Sequence, residues 1–212
     1  MAKLLYQGHG SYRVVSKDGL VIYVDPYAGV GYDLSADIVL VTHEHADHND
    51  LSLINKKKDC RILRAADMLV HGKYRKLEIN GVMIEAVPAY NENHKRDCCV
   101  GYVITIDGVK IYASGDTSYT DFMQAKLSQA EIDYALLPID GIFNMDVKEA
   151  EKCAKIINPR HTIPIHTSPV NKPSRLDKSG VSVPFDLEKA ESLDVEGRII
   201  MRPADEIELF GK

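Results

Sequence analysis

The 212-residue sequence predicts an α/β (α+β) fold, two mixed β-sheets packed together with helices outside. Three observations carry this expectation. Short β-branched segments, punctuated by Gly and Asp–Gly turns, dominate both halves of the chain. Two continuous apolar runs, DIVLV at 37–41 and DYALLPI at 133–139, have the character of strands buried on both faces. The order of strands with helices interspersed also occurs twice.

Taken in order, LLYQG, SYRVVS and LVIYVDP predict the first three strands, with Lys17-Asp18-Gly19-Leu20 as a two-residue hairpin connection. DIVLV follows as the fourth. DLSLINKKK at 50–58 has the spacing of one or two amphipathic helical turns, with Lys56, Lys57 and Lys58 as their solvated C-terminal end. CRILRA, KLEI and VMIEAVP return to strands, and Asn80–Gly81 marks a hairpin between the last two. VGYVITI and VKIYASG flank the Asp107–Gly108 turn, a helix follows around residues 122–129, and DYALLPI is the next strand. VKEAEKCAKII predicts a helix with Val147, Ala150, Ala154 and Ile157 on one stripe, Asp146 as its cap and Asn158–Pro159 as its stop. HTIPIH is a short strand, and RIIMRPADEIELF at 198–210 reads as a last hairpin.

Hydrophobic residues make up 45% and charged residues 27%, the balance of a globular chain. No Pro- or Ser-rich linker divides it, so residues 1–212 are expected to form one domain. A net charge of −5 without long runs of one sign speaks against a nucleic-acid surface. The apolar run in MAKLLYQGHGSYR is too short for a signal peptide or a membrane span. Cys60, Cys98, Cys99 and Cys153 form no C-x-x-C pair, so they are expected to be reduced thiols in a cytoplasmic protein. The expected partner is a small-molecule substrate, with neither nucleic acid nor membrane, and a homo-oligomer is compatible with the composition.

The chemistry concentrates in VLVTHEHADHND at 39–50. His43 and His45 alternate in an extended segment, so their rings share a side. Asp47 and His48 follow where the chain must turn. Such a tip presents four ligands to one small volume, and imidazole nitrogen with carboxylate oxygen is a donor set for zinc or manganese. Glu44 points away from its neighbours and is left out of the set.

THEHADH carries the HxHxDH signature, and LVIYVDP, PAYNENH, YASGDT and IPIH occur around it in family order. On these motifs the sequence resembles the metallo-β-lactamase superfamily over essentially its whole length. It is similar to the small bacterial metal-dependent hydrolase branch that includes the ascorbate-6-phosphate lactonases. The resemblance implies a four-layer αβ/βα sandwich. It also implies that His43, His45 and His94 hold one divalent metal ion, that Asp47, His48 and His166 hold a second, and that Asp116 bridges both. Zinc is the expected metal, with manganese or iron as alternatives. Gly115 is expected to let the backbone approach the metals. His9, between Gly8 and Gly10, corresponds to a position near the site in relatives, where it would contact substrate or hydrogen-bond a ligand; a local turn role is the alternative. Asp25 is expected to accept a hydrogen bond from a liganding histidine, or to end its strand at Asp–Pro. His71 and His161 are expected to be a surface turn and a structural residue.

The implied reaction is hydrolysis, with a hydroxide activated by two metals attacking an ester, lactone or phosphodiester of a small anionic metabolite. Asp47 would orient the nucleophile, with His9 as the second catalytic candidate. Two divalent ions set against Asp47, Asp116 and the hydroxide leave a charge of about +1, suited to an anionic oxygen. Lys95, Arg96, Lys172 and Arg175 lie in loops that can rim the pocket, and Tyr90 and Asn91 can line it. Cys98 and Cys99 have no positioned base and are not expected to be nucleophiles. A non-hydrolytic metal-binding protein and a di-iron redox protein on the same fold are the alternatives.

Overall fold

The computed structural model describes residues 1–169 and 184–212; between them it describes only the backbone of two short strands. Five strands open the chain: β1 (Lys3–Gly8), β2 (Ser11–Val15), β3 (Val21–Val24), β4 (Ala36–Leu40) and β5 (Lys56–Leu63). A short helix α1 (Ala65–Met68) leads into a small hairpin of β6 (Leu69–Val70) and β7 (Lys73–Tyr74). Then come β8 (Lys76–Ile79), β9 (Val82–Pro88), β10 (Val100–Ile106), β11 (Val109–Ala113), α2 (Asp121–Ala125) and β12 (Tyr134–Pro138). The chain closes with α3 (Val147–Ile157), β13 (His161–Ile165), the paired β14 (Ser174–Leu176) and β15 (Gly180–Ser182), α4 (Leu187–Ser192) and β16 (Glu206–Glu208).

Two six-stranded mixed sheets result, one ordered β16-β1-β2-β3-β4-β5 and the other β13-β12-β11-β10-β9-β8. Their inner faces share one core, with Leu4, Tyr6, Ile22, Ile38 and Leu40 from the first sheet and Ile84, Tyr102, Ile104, Leu136 and Ile163 from the second. The alternation inside the two apolar runs explains their composition. Ile38 and Leu40 enter the shared core, while Val39 and Val41 pack on the opposite face with Tyr23, Tyr32 and Ile54. Tyr134 and Leu136 point inward; Ala135 and Leu137 meet Met123, Ala150, Ala154 and Ile157 of the outer helices. A strand buried on both faces has no polar side to show, so it reads as an unbroken run.

The hairpin signals correspond to turns at Asn80–Gly81 and Asp107–Gly108, where all four residues have positive φ, the conformation Asn, Asp and Gly adopt most readily. Asp146 accepts a hydrogen bond from the Glu149 amide at the start of α3, and Asn158 closes the helix in the left-handed region. No helix among the described residues is long and apolar enough to cross a membrane.

Three expectations are corrected. The lysine cluster ends no helix: a single 3-10 turn, Leu51–Leu53, precedes β5, and Lys56 already pairs with Ala36 of β4. β5 is an edge strand, where charged side chains protect the unpaired backbone from foreign strands. Lys57 also meets Asp37 at 2.7 Å. The β2–β3 connection spans residues 16–20 rather than two residues, because Val15 pairs with Val21 and the Ser16 amide donates to Leu20 O. Residues 198–208 form no hairpin; β16 instead pairs with β1 across the chain termini, and Arg198 makes only an isolated bridge to Thr162.

Candidate metal centre

The site residues follow the carboxyl ends of seven strands, where ligand sites form in layered sheets. His9 follows β1, Asp25 β3, the 43–48 tip β4, His94 β9, Asp116 β11, Asp140 β12 and His166 β13. Strands of both sheets end at the same rim, so residues as distant as His9 and His166 touch.

All seven residues expected as metal ligands come together there. One nitrogen each from His43, His45 and His94 falls within 4.8 Å of the others, and His43 Nε2 lies 3.1 Å from His45 Nδ1. A second group, also within 4.8 Å, contains Asp47, His48, His166 and His9. Asp116 stands between them: its Oδ2 is 3.3 Å from His94 Nε2 and 3.6 Å from His166 Nε2, and its Oδ1 is 3.4 Å from His48 Nε2.

A surrounding layer fixes which ring nitrogen faces inward. His48 Nδ1 meets Asp25 Oδ2 at 2.9 Å, and His94 Nδ1 meets Asn91 Oδ1 at 2.9 Å. His43 Nδ1 meets Thr42 Oγ1 at 3.0 Å, and that hydroxyl in turn donates to Asp25 at 2.6 Å. His166 Nδ1 is 3.2 Å from Asp140 Oδ2, though off the direction of a good hydrogen bond. In each case Nε2 is turned to the centre, the arrangement outer partners impose on metal-binding histidines. Among the described residues, His48 Nε2 is buried with no hydrogen-bond partner of good geometry. Asp140 and Asn91 were not foreseen in these roles; Asp140 shares its strand-end position with Asp25 and Asp116, and that was its one signal in the sequence.

The electrostatics fit a cation. Burial, reinforced by His48, pushes the His43 imidazole down to about 2, and burial lowers His94 as well. Both therefore stay neutral, the form that binds metal. His48 behaves oppositely: burial disfavours its charge, but the Asp116 and Asp25 carboxylates outweigh burial and raise it well above the usual range. Asp116 would also be raised by burial, yet His48 and His166 hold it well below the ordinary carboxylate range. A buried carboxylate ringed by inward-facing imidazole nitrogens suits divalent ions of the zinc or manganese type.

His9 sits inside the centre. Its ring centroid is 3.6 Å from that of His166, and its Nε2 lies 3.2 Å from Asp47 Oδ2. Burial pushes its imidazole down to about 4, so at neutral pH the uncharged ring donates Nε2–H to Asp47. Its backbone carbonyl accepts from the Tyr6 hydroxyl and the His166 amide. His9, Asp25 and His166 all have positive φ, a conformation that costs a non-glycine residue about 1 kcal/mol. Such strain concentrates where geometry matters for function.

Two glycines shape the site sterically. Gly115, at φ +63°, packs against Thr42 and Val100: an added Cβ would lie 2.9 Å from Thr42 Cβ and 3.0 Å from Val100 O. Its smallness serves the contact with Thr42 of the other sheet and with the Val100 carbonyl of β10. At Gly10 an added Cβ would lie 2.7 Å from His48 Cε1. Because Asp25 pins that ring, Gly10→Ala is expected to displace His48 and weaken metal binding about 10- to 100-fold. Titration against a competing chelator measures this, and wild-type affinity would show that the contact does not set His48.

Other candidates fall outside the centre. Glu44 pairs with Arg64 at 2.6 Å on the surface. Lys95 and Arg96 are exposed, and the Arg96 guanidinium lies over the Tyr90 ring at 5.3 Å. Lys172 and the Arg175 side chain lie outside the described residues. Burial pushes the Cys99 thiol up to about 12, so it stays protonated. His71 is an exposed turn residue, and His161 stacks on Tyr134 with ring centroids 4.9 Å apart.

Comparison with known proteins identifies the family. Residues 3–166 match the family model described as the beta-lactamase superfamily domain. A metal-dependent hydrolase of Thermococcus onnurineus is 34% identical over 78% of this chain and 84% of its own. A second, from Thermococcus kodakarensis, is 30% identical over 99% of this chain and 100% of its own. The crystal structure of a metal-dependent hydrolase from Parabacteroides distasonis superimposes with a TM-score of 0.69 at 28% identity, covering 92% of this chain and 90% of that one. With its two mixed sheets and its histidine–aspartate centre at their common rim, the chain belongs to the metallo-β-lactamase superfamily.

Proposed function

We propose that this protein is a metal-dependent hydrolase holding two divalent ions, zinc in the first place, which acts on an ester, lactone or phosphodiester centre of a small molecule. The observation that carries the proposal is the position of Asp116, whose Oδ2 faces His94 of one ligand group and His166 of the other. His43, His45 and His94 would hold one ion, and Asp47, His48 and His166 the other. Bound there, divalent ions supply Lewis acidity toward a developing oxyanion and acidify water to near neutrality.

The chain's own residues do the rest. Asp47 is half-buried, and burial alone would raise its carboxyl. In the metal-free centre the His9 hydrogen bond and the protonated His48 outweigh this and hold it well below the usual carboxylate range. A carboxylate kept ionised in this way is a hydrogen-bond acceptor that orients the attacking water. His9 Nε2–H fixes the rotamer of that carboxylate. Burial of His43, His48, His94, His166 and Asp116 keeps bulk water out and strengthens each of these interactions.

The test is metal analysis with turnover of lactones, phosphodiesters and thioesters before and after chelation. Two ions per chain are expected, with activity lost on chelation and restored by zinc or manganese. Well under one ion per chain, together with an unaltered His48→Ala variant, would defeat the proposal. Visible absorbance on the purified protein would reveal iron.

A further inference from the structure

The cavity over the centre holds about 140 Å³ and is lined by His45, Asp47, Asn93, His94, Asp116, Phe143 and His166. That is below the roughly 300–1,000 Å³ of ordinary ligand pockets, so it accommodates a reacting group and little more. The rest of any substrate must lie across the mouth. On one side the mouth is apolar: Phe143, a wall of the cavity, is 40% exposed, and the adjoining Ile142 is 65% exposed.

These side chains are presented on a braced turn. The buried Asp140 carboxylate accepts from the amides of Ile142 and Phe143 at 2.8 and 2.6 Å and from the Asn144 side chain at 2.9 Å. The Phe143 carbonyl accepts from the side-chain amides of Asn91 and Asn93 at 2.9 and 3.2 Å, and Lys189 Nζ donates to the Asp140 carbonyl at 2.8 Å. Asp140, which stands beside His166, and Asn91, which holds His94, therefore also set the position of the apolar pair. Contiguous exposed apolar surface rimmed by polar groups marks a binding site, and this pair adjoins the polar rim of the cavity.

We propose, resting on the hydrolase reading above, that Ile142 and Phe143 form an apolar subsite and that the substrate joins a compact hydrolysable head to an apolar arm. The head occupies the cavity; the arm crosses Phe143 and reaches Ile142. These two residues then select among substrates by arm length, without touching the reacting atoms.

The probe is a series of linear alkylphosphonates, methyl to octyl, titrated into the zinc-loaded protein, with Phe143→Ala, Ile142→Ser and the double variant beside wild type. Phe210→Ser removes an exposed aromatic away from the cavity and serves as control. For wild type and control, affinity is expected to rise about twofold per methylene, short of the roughly fourfold that full burial would give. In the double variant the rise should fall below about 1.3-fold per methylene with metal content unchanged; the readout is the slope, because Phe143 also walls the cavity that takes the head group. Equal slopes in wild type and double variant, a flat wild-type series, or no binding at any length would overturn the subsite. Turnover is measured separately on esters, lactones and phosphodiesters. A steep wild-type slope without turnover would sink the hydrolase proposal and leave the subsite standing, whereas turnover with a flat slope would do the reverse.

Discussion

Asp116→Ala is expected to lower hydrolysis by at least about a thousandfold, because charge stabilisation by a metal pair is worth several kcal/mol and each 1.4 kcal/mol is about tenfold in rate. The reason lies in the single carboxylate that faces His48, His94 and His166 at 3.3 to 3.6 Å. Without it the two ligand groups lose their shared anion, and the metal content proposed above, two ions per chain, should fall to one or fewer. Asp116→Asn keeps the shape and removes the charge, so it separates a packing role from an electrostatic one. Elemental analysis of both variants together with kcat/KM measures the effect. Two tightly held ions in either variant would show that Asp116 does not bridge.

Asp25→Ala is expected to have the largest effect on stability. Asp25 is 1% exposed and accepts from the Thr42 amide at 2.8 Å, the Thr42 hydroxyl at 2.6 Å and His48 Nδ1 at 2.9 Å. Burial raises its carboxyl, with His48 and Thr42 opposing the rise. Removing one partner of such a buried pair costs about 3–5 kcal/mol. For a chain of this size that lowers Tm by about 10 °C or more, read by thermal unfolding of metal-free protein so that lost metal does not contribute. Asp25→Asn should fold with a smaller loss, but it leaves His48 without a proper acceptor and weakens metal binding about 10- to 100-fold. Wild-type affinity in Asp25→Asn would remove Asp25 from the orientation of His48.

Much of the fold was legible in the chain because its signals are local. Asn80–Gly81 and Asp107–Gly108 fall at hairpin turns since few other dipeptides tolerate two successive positive φ values. α3 declared itself by an apolar stripe, Asp146 and Asn158, all within one helix length. The departures occur where the outcome depends on a distant partner. Lys56, Lys57 and Lys58 look alike at a helix end or on a sheet edge, and pairing of Lys56 with Ala36 decides between them. Residues 206–208 found β1, some 200 positions away, rather than a neighbouring strand, and no periodicity encodes that choice.

The site divides along the same line. HxHxDH was legible because His43, His45, Asp47 and His48 lie within six positions and alternate in direction. His94, Asp116 and His166 were placed by motif resemblance, without distances. Their meeting depends on strands of two sheets ending at one rim. The sequence by itself determined the donor chemistry, the apolar runs that bury β4 and β12, and the Asn80–Gly81 and Asp107–Gly108 turns. Only the tertiary structure decided that His9 packs against His166, that Asp25 and Asp140 back the inward-facing rings, and that Ile142 and Phe143 stand at the mouth. Residue types and short-range spacing are properties of the chain, whereas these contacts exist only once two separately paired sheets close on a common core.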